Sequence, residues 1–121
     1  MILVDTSIWI DHLRRPLRLL IDLLQEGLVL SHPLVIEELA CGSIANRVRF
    51  LQEISVLPKA TTIAHDQILH FISRHGLYAR GLGAVDTHVL ASAMVESAKV
   101  WSRDKRMNGE AERLGLAIEL S

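Results

Sequence analysis

Within the first seven residues a fully apolar triplet, Ile2-Leu3-Val4, runs straight into an acid and two hydroxyl residues, Asp5-Thr6-Ser7. That junction constrains the fold more than any other stretch. The triplet is far shorter than the roughly 18 apolar residues a membrane span needs. Without alternation it reads as a strand buried on both faces of a parallel sheet. The polar residues after it supply cap chemistry for a helix beginning near Ile8. Similar runs return at Leu28–Leu30, Ile54–Leu57, Lys99–Ser102 and Leu116–Leu120. Between them apolar residues recur at helical spacing, as in Leu17, Leu20, Ile21 and Leu24, or Val35, Ile36, Leu39 and Ala40. Five strands separated by helices predict an α/β fold: right-handed crossovers and a mainly parallel sheet with helices on both faces.

A length of 121 residues fits one core, and no repeat or Pro/Gly/Ser-rich linker divides it, so a single domain over 1–121 is expected. Cys41 is the only cysteine, which excludes an intrachain disulfide and a cysteine-rich zinc site. Its place in an apolar helix predicts a packing role. The N-terminus carries no signal-peptide pattern, and a cytoplasmic protein with no membrane association is expected. Thirteen basic residues against 14 acidic ones give a formal charge of −1. That balance gives no sign of coating nucleic acid by bulk positive charge, and it does not exclude a local basic rim.

In open parallel sheets, ligands gather at the carboxyl ends of strands, near a switch in strand order. Acids cluster there in this sequence. Asp5 follows the first strand, and Asp104 follows the fourth within Ser102-Arg103-Asp104. Asp86 opens the helix that leads into the fourth strand, and Glu37 and Glu38 lie in the helix after the second. Carboxylates brought together repel unless a cation or a proton compensates. Mg²⁺ or Mn²⁺ is the usual partner for several hard oxygens, and such a metal can activate water against a phosphodiester. Each acid has an ordinary alternative as a helix cap. Periodicity does not choose between Glu37 and Glu38, which flank the apolar helix face almost symmetrically. Glu96 is set aside, because ten residues place it about 15 Å from Asp86 along the same helix.

Val4-Asp5-Thr6-Ser7-Ile8-Trp9-Ile10, Glu38-Leu39-Ala40-Cys41-Gly42, Gly81-Leu82-Gly83-Ala84-Val85-Asp86 and Ser102-Arg103-Asp104 resemble, in order, the successive motifs of PIN domains. The similarity is greatest to the VapC toxins of toxin–antitoxin pairs, and it runs the length of the chain. The resemblance implies a PIN-like three-layer fold with a five-stranded sheet of order 3-2-1-4-5. It implies a Mg²⁺- or Mn²⁺-dependent endoribonuclease with catalytic Asp5, Glu38, Asp86 and Asp104. Asp5, Asp86 and Asp104 would hold the metal, and Glu38 would orient or deprotonate the attacking water. The family's Glu-Leu pair followed by Gly selects Glu38 over Glu37, and Ser102 matches the hydroxyl residue two before the last acid. The resemblance further implies a cognate antitoxin that blocks the site, a homodimer, and operator DNA binding only through the antitoxin complex. The apolar helices between Pro16 and Glu53 are the expected antitoxin groove, with plain core packing as their alternative role.

Several other residues invite roles. Thr6 reads as a helix cap or as a hydroxyl beside the metal, and both can hold together. Arg80 with Tyr78, and Arg103 with Lys105 and Arg106, flank the acids and are candidates for holding RNA by stacking or phosphate contact. The six histidines are scattered without a metal-binding spacing, so structural or surface roles are expected. A phosphoacceptor domain would want an acidic pair after the first strand and an acid after the third; Asp5 stands alone, and none follows Pro58. A haloacid-type phosphatase wants a second Asp at position 7, which is Ser7. A catalytically silent PIN module that only binds RNA or protein is the remaining alternative. Assigning four acids to one pocket leaves ten against 13 bases, a mildly positive surface around a negative centre.

Overall fold

The computed structural model describes residues 1–119. Its elements alternate as the apolar runs predict. β1 (Ile2–Val4) leads into α1 (Thr6–Arg14) and α2 (Arg18–Gln25), and β2 (Val29–Leu30) into α3 (Pro33–Cys41) and α4 (Arg47–Ser55). Then come α5 (His65–Arg74), α6 (Ala84–Glu96), β3 (Lys99–Trp101) and α7 (Lys105–Arg113). Among the described residues no helix is long and apolar enough to cross a membrane.

The sheet is parallel with order β2-β1-β3. Leu3 and Val4 are consecutive, so they point to opposite faces, yet both are 0% exposed. The first strand is therefore covered on both sides, which is why it contains no polar residue. Val29, Leu30, Val100 and Trp101 are buried in the same way, and Leu20, Val35, Leu39, Leu90 and Met107 bring helix side chains onto this core. Trp9 and Trp101 are both core residues, as their apolar bulk predicts.

The five-stranded sheet is corrected to three strands with one isolated bridge beyond each edge. Ser31 pairs with Lys59 outside β2, and Val100 pairs with Ala117 outside β3. The expected third strand at Ile54–Leu57 is instead the end of α4 and its turn. Ile54 continues the helical face begun by Phe50 and Leu51 and is buried there. A short apolar run looks the same to periodicity in either setting. Pairing begins only after Pro58, whose carbonyl accepts the Ser31 N–H at 2.8 Å. The fifth expected strand shrinks to the Ala117 bridge, and its last residue, Leu120, lies outside the described residues.

The helical spacing of Ile63, Ile68, Leu69, Phe71 and Ile72 predicts a helix from Thr61 to about Arg74, but α5 begins only at His65; before it, Glu96 Oε1 accepts both the Thr61 N–H and its hydroxyl. A second expectation also shifts. Cys41 is exposed rather than packed. It lies two residues beyond buried Leu39, about 200° around the helix, and so faces outward.

Candidate active site

β1 is the central strand. The chain leaves it for β2 on one side and returns to β3 on the other, so the strand order switches between β1 and β3. Asp5 stands at that switch. Its N–H donates to the Trp101 carbonyl at 2.9 Å, which extends the β1–β3 ladder and sets Asp5 beside Ser102. The Asp5 side chain does not cap α1. Its Oδ2 accepts the hydroxyls of Ser102 at 2.7 Å and Ser7 at 3.0 Å. The same two hydroxyls bind the chain beyond β3: Ser102 Oγ accepts the Asp104 N–H, and Ser7 Oγ accepts the Arg103 N–H. One hydrogen-bonded knot thus fixes Asp5 against the backbone of Asp104. The sequence offers Ser7, like Thr6, as a helix cap or as a hydroxyl near the site; its bonds to Asp5 and to the Arg103 N–H are a positioning role that neither reading specifies.

The other acids arrive on helix starts and faces. Asp86 sits in the first turn of α6, and its Oδ2 accepts the Gly83 N–H at 2.9 Å. Asp104 caps α7, with Oδ1 accepting from the N–H groups of Arg106 and Met107. Glu38 lies on α3, and its Oε1 accepts the Thr6 hydroxyl at 2.6 Å. Helix capping thus accounts for one oxygen of Asp86 and one of Asp104, and the Thr6 hydroxyl occupies one oxygen of Glu38. Each acid spends one oxygen on the scaffold. Among the described residues, the second oxygen of all four, Asp5 Oδ1, Glu38 Oε2, Asp86 Oδ1 and Asp104 Oδ2, accepts no hydrogen bond within the chain.

Asp86 registers the convergence. Burial is the main effect raising its pKa, and the Gly83 N–H opposes it. The negative charges of Asp5, Asp104 and Glu38 then push it further up. No cation answers this charge: among the described residues none of the four acids pairs with a Lys or Arg.

The sequence pattern of the PIN domain matches residues 2–109. The chain belongs to the PIN-domain family. Ribonuclease VapC32 of Mycobacterium tuberculosis, found in two strains, is 45% identical over 119 residues, covering 98% of this chain and 96% of the relative. This PIN domain is accordingly of the VapC type. The crystal structure of PAE2754 from Pyrobaculum aerophilum superposes with a TM-score of 0.66 across 97% of this chain and 87% of that one. At 16% identity that likeness speaks for the fold alone.

The PIN-domain acids fit a hard divalent cation by the chemistry of their donors. The set is all carboxylate oxygen, uncompensated, with one oxygen of each acid left over, and such ions take a few carboxylates and fill the rest of their shell with water. As the side chains stand, no three His, Cys, Asp or Glu among the described residues form a ready-made metal cage. The basic rim divides sharply. Arg103 Nε pairs with Asp11 at 2.8 Å, on α1. Arg80 pairs with Glu110 at 3.6 Å and donates to the Gly76 carbonyl. Arg106 is in no ion pair among the described residues and lies against Gly81. Tyr78 is largely exposed.

Proposed function

We propose that this PIN domain, a single domain over residues 1–121, is an endoribonuclease that hydrolyses RNA phosphodiester bonds and acts as the toxin of a toxin–antitoxin pair. The observation that carries the reading is the set of four unpaired carboxylate oxygens at the β1/β3 switch, in a chain 45% identical to a protein named as a ribonuclease. Asp5, Asp86 and Asp104 would hold Mg²⁺ or Mn²⁺ through those oxygens. The bound metal supplies water activation and neutralises charge on the phosphate. Glu38 keeps Oε2 available to accept the proton of an attacking water, while Thr6 fixes Oε1. Ser102 and Ser7 hold Asp5 in one orientation and so present its other oxygen to the site. A cognate antitoxin, a homodimer, operator DNA reached only through the antitoxin complex, and a cytoplasmic location complete the proposal.

The test is cleavage of single-stranded RNA by the purified protein with Mn²⁺ or Mg²⁺, expected to stop on adding chelator. Absence of cleavage with either ion, or cleavage undiminished by chelator, overturns it. The role of Thr6 makes a separate expectation. Thr6→Val keeps the side-chain shape and removes the hydroxyl, so Glu38 loses its tether. Removing such an outer partner is expected to lower kcat by about 10- to 100-fold, whereas Thr6→Ser should stay near wild type. Steady-state kinetics of the two variants decide it; equal activity in both would remove Thr6 from the mechanism.

A further inference from the structure

The segment leading to Asp86 is strapped onto α7 at three points. Arg113 donates to the His75 carbonyl at 2.6 Å, Arg80 pairs with Glu110, and Arg106 lies across Gly81. The third contact differs from the others because the cation has no carboxylate to hold it. A side chain at position 81 would set its Cβ 2.8 Å from Arg106 Cδ and about as near the guanidinium, at 3.0 Å from one nitrogen. That is closer than a Cβ tolerates, so the seat exists only because residue 81 has no side chain. Arg106 follows Asp104 by two residues, and Gly81 precedes Asp86 by five. The guanidinium therefore bridges the backbone segments that carry two of the four acids.

We infer that Arg106, seated on Gly81, is the phosphate-anchoring residue for the RNA substrate, and that Gly81 is its positioning residue. The inference rests on the ribonuclease reading above. Among the three arginines that flank the acids, Arg103 is paired with Asp11 and Arg80 shares Glu110 with Arg113, whereas Arg106 is in no ion pair among the described residues. Lys105 is also in no ion pair among the described residues, but it is Arg106 whose side chain reaches from the Asp104 side to the segment leading to Asp86. A guanidinium presents several donors in one plane, suited to two phosphate oxygens at once. Holding it flat on a glycine limits the rotamer freedom that binding would otherwise have to remove.

The test uses the whole chain and a fluorescein-labelled mixed-sequence single-stranded RNA. Binding is followed by anisotropy with Ca²⁺, across a salt series, and cleavage is followed with Mn²⁺. Arg106→Ala is expected to weaken binding about tenfold, with the loss falling on KM more than on kcat. The salt slope should also fall by about 0.7, as for one phosphate contact on a single strand. Gly81→Ala is expected to weaken binding in the same direction. Its backbone lies at φ +77°, so the substitution also strains the loop. The double variant separates the two effects: it should bind RNA no more weakly than Arg106→Ala alone. Unchanged binding and salt slope in Arg106→Ala overturn the anchoring role. A further loss in the double variant overturns the positioning role of Gly81. A wild type that cleaves RNA while Arg106→Ala matches it sinks only this inference. A wild type that neither binds nor cleaves overturns the ribonuclease reading and this one with it.

Discussion

RNA cleavage by the Asp5→Asn variant is expected to fall by more than about 100-fold, with the fold intact. Removing an outer partner of a metal ligand typically costs 10- to 100-fold, and Asp5 is proposed as a ligand itself. The hydrogen bonds explain why the fold should survive. Both serine hydroxyls donate to Oδ2, so an asparagine can place its carbonyl oxygen there and keep both bonds. Its amide nitrogen then stands where Oδ1 stood, and a pair of N–H donors faces the position of the cation. Charge is lost and a donor replaces an acceptor, yet the knot between β1 and the Asp104 segment remains. The measurements are kcat/KM with Mn²⁺, Mn²⁺ binding by calorimetry, and a thermal melt. Cleavage within tenfold of wild type, with metal still required, would overturn the placement of Asp5 in the site.

That argument starts from a feature the first seven residues already displayed. An apolar triplet followed at once by Asp5 reads as a buried strand delivering an acid to the carboxyl end of a sheet, and β1 does this at the centre of the sheet. The strand expected at Lys99–Ser102 forms over Lys99–Trp101, and the helix that Asp86 opens was legible too, because its apolar run is long. Ile54–Leu57 was not. Its apolar residues satisfy a strand and a helix end alike, and what decides is Phe50 and Leu51 one turn earlier, together with the Pro58 carbonyl reaching Ser31.

The site was legible as residue types and not as geometry. Spacing could say that Asp86 and Asp104 begin helices, and capping then looked like a rival to chemistry. The structure gives one oxygen of each acid to the scaffold and leaves the other over, a division no sequence pattern carries. Arg80, Arg103 and Arg106 looked equivalent in sequence. Only the folded positions of Asp11 and Glu110 set them apart: Arg103 pairs with Asp11, Arg80 shares Glu110 with Arg113, and Arg106 is in no ion pair among the described residues. His32 was expected to be structural or on the surface, and the structure makes it the joint between the helices that carry Glu38 and Asp86.

That joint should make the protein acid-labile. His32 is 0% exposed. Its Nδ1 accepts the Leu34 N–H at the start of α3, so Nε2 carries the proton and donates to Ser92 on α6 at 3.1 Å. Ser92 in turn donates to the Thr61 carbonyl. A second proton on the imidazole would break the cap. Burial, and to a lesser degree His88, push the His32 pKa down to about 4 from the usual 6.5. Above pH 6.5 both folded and unfolded chains hold a neutral ring, and the full stability is present. As pH falls towards 4 the unfolded chain binds a proton that the folded one resists, so stability is lost, by up to about 3 kcal/mol. His12, His75 and His88 are shifted in the same direction and add to the trend. Asp86 opposes it, because its raised pKa makes protonation favour the folded state at low pH. His32→Asn retains a cap acceptor for α3 but drops the bond to Ser92. It is expected to cost about 2 kcal/mol near neutrality and to flatten most of the decline between pH 6.5 and 4. Urea denaturation of both proteins across that range measures the two effects together. A decline as steep in the variant as in the wild type would show that His32 is not the group whose protonation unfolds the chain.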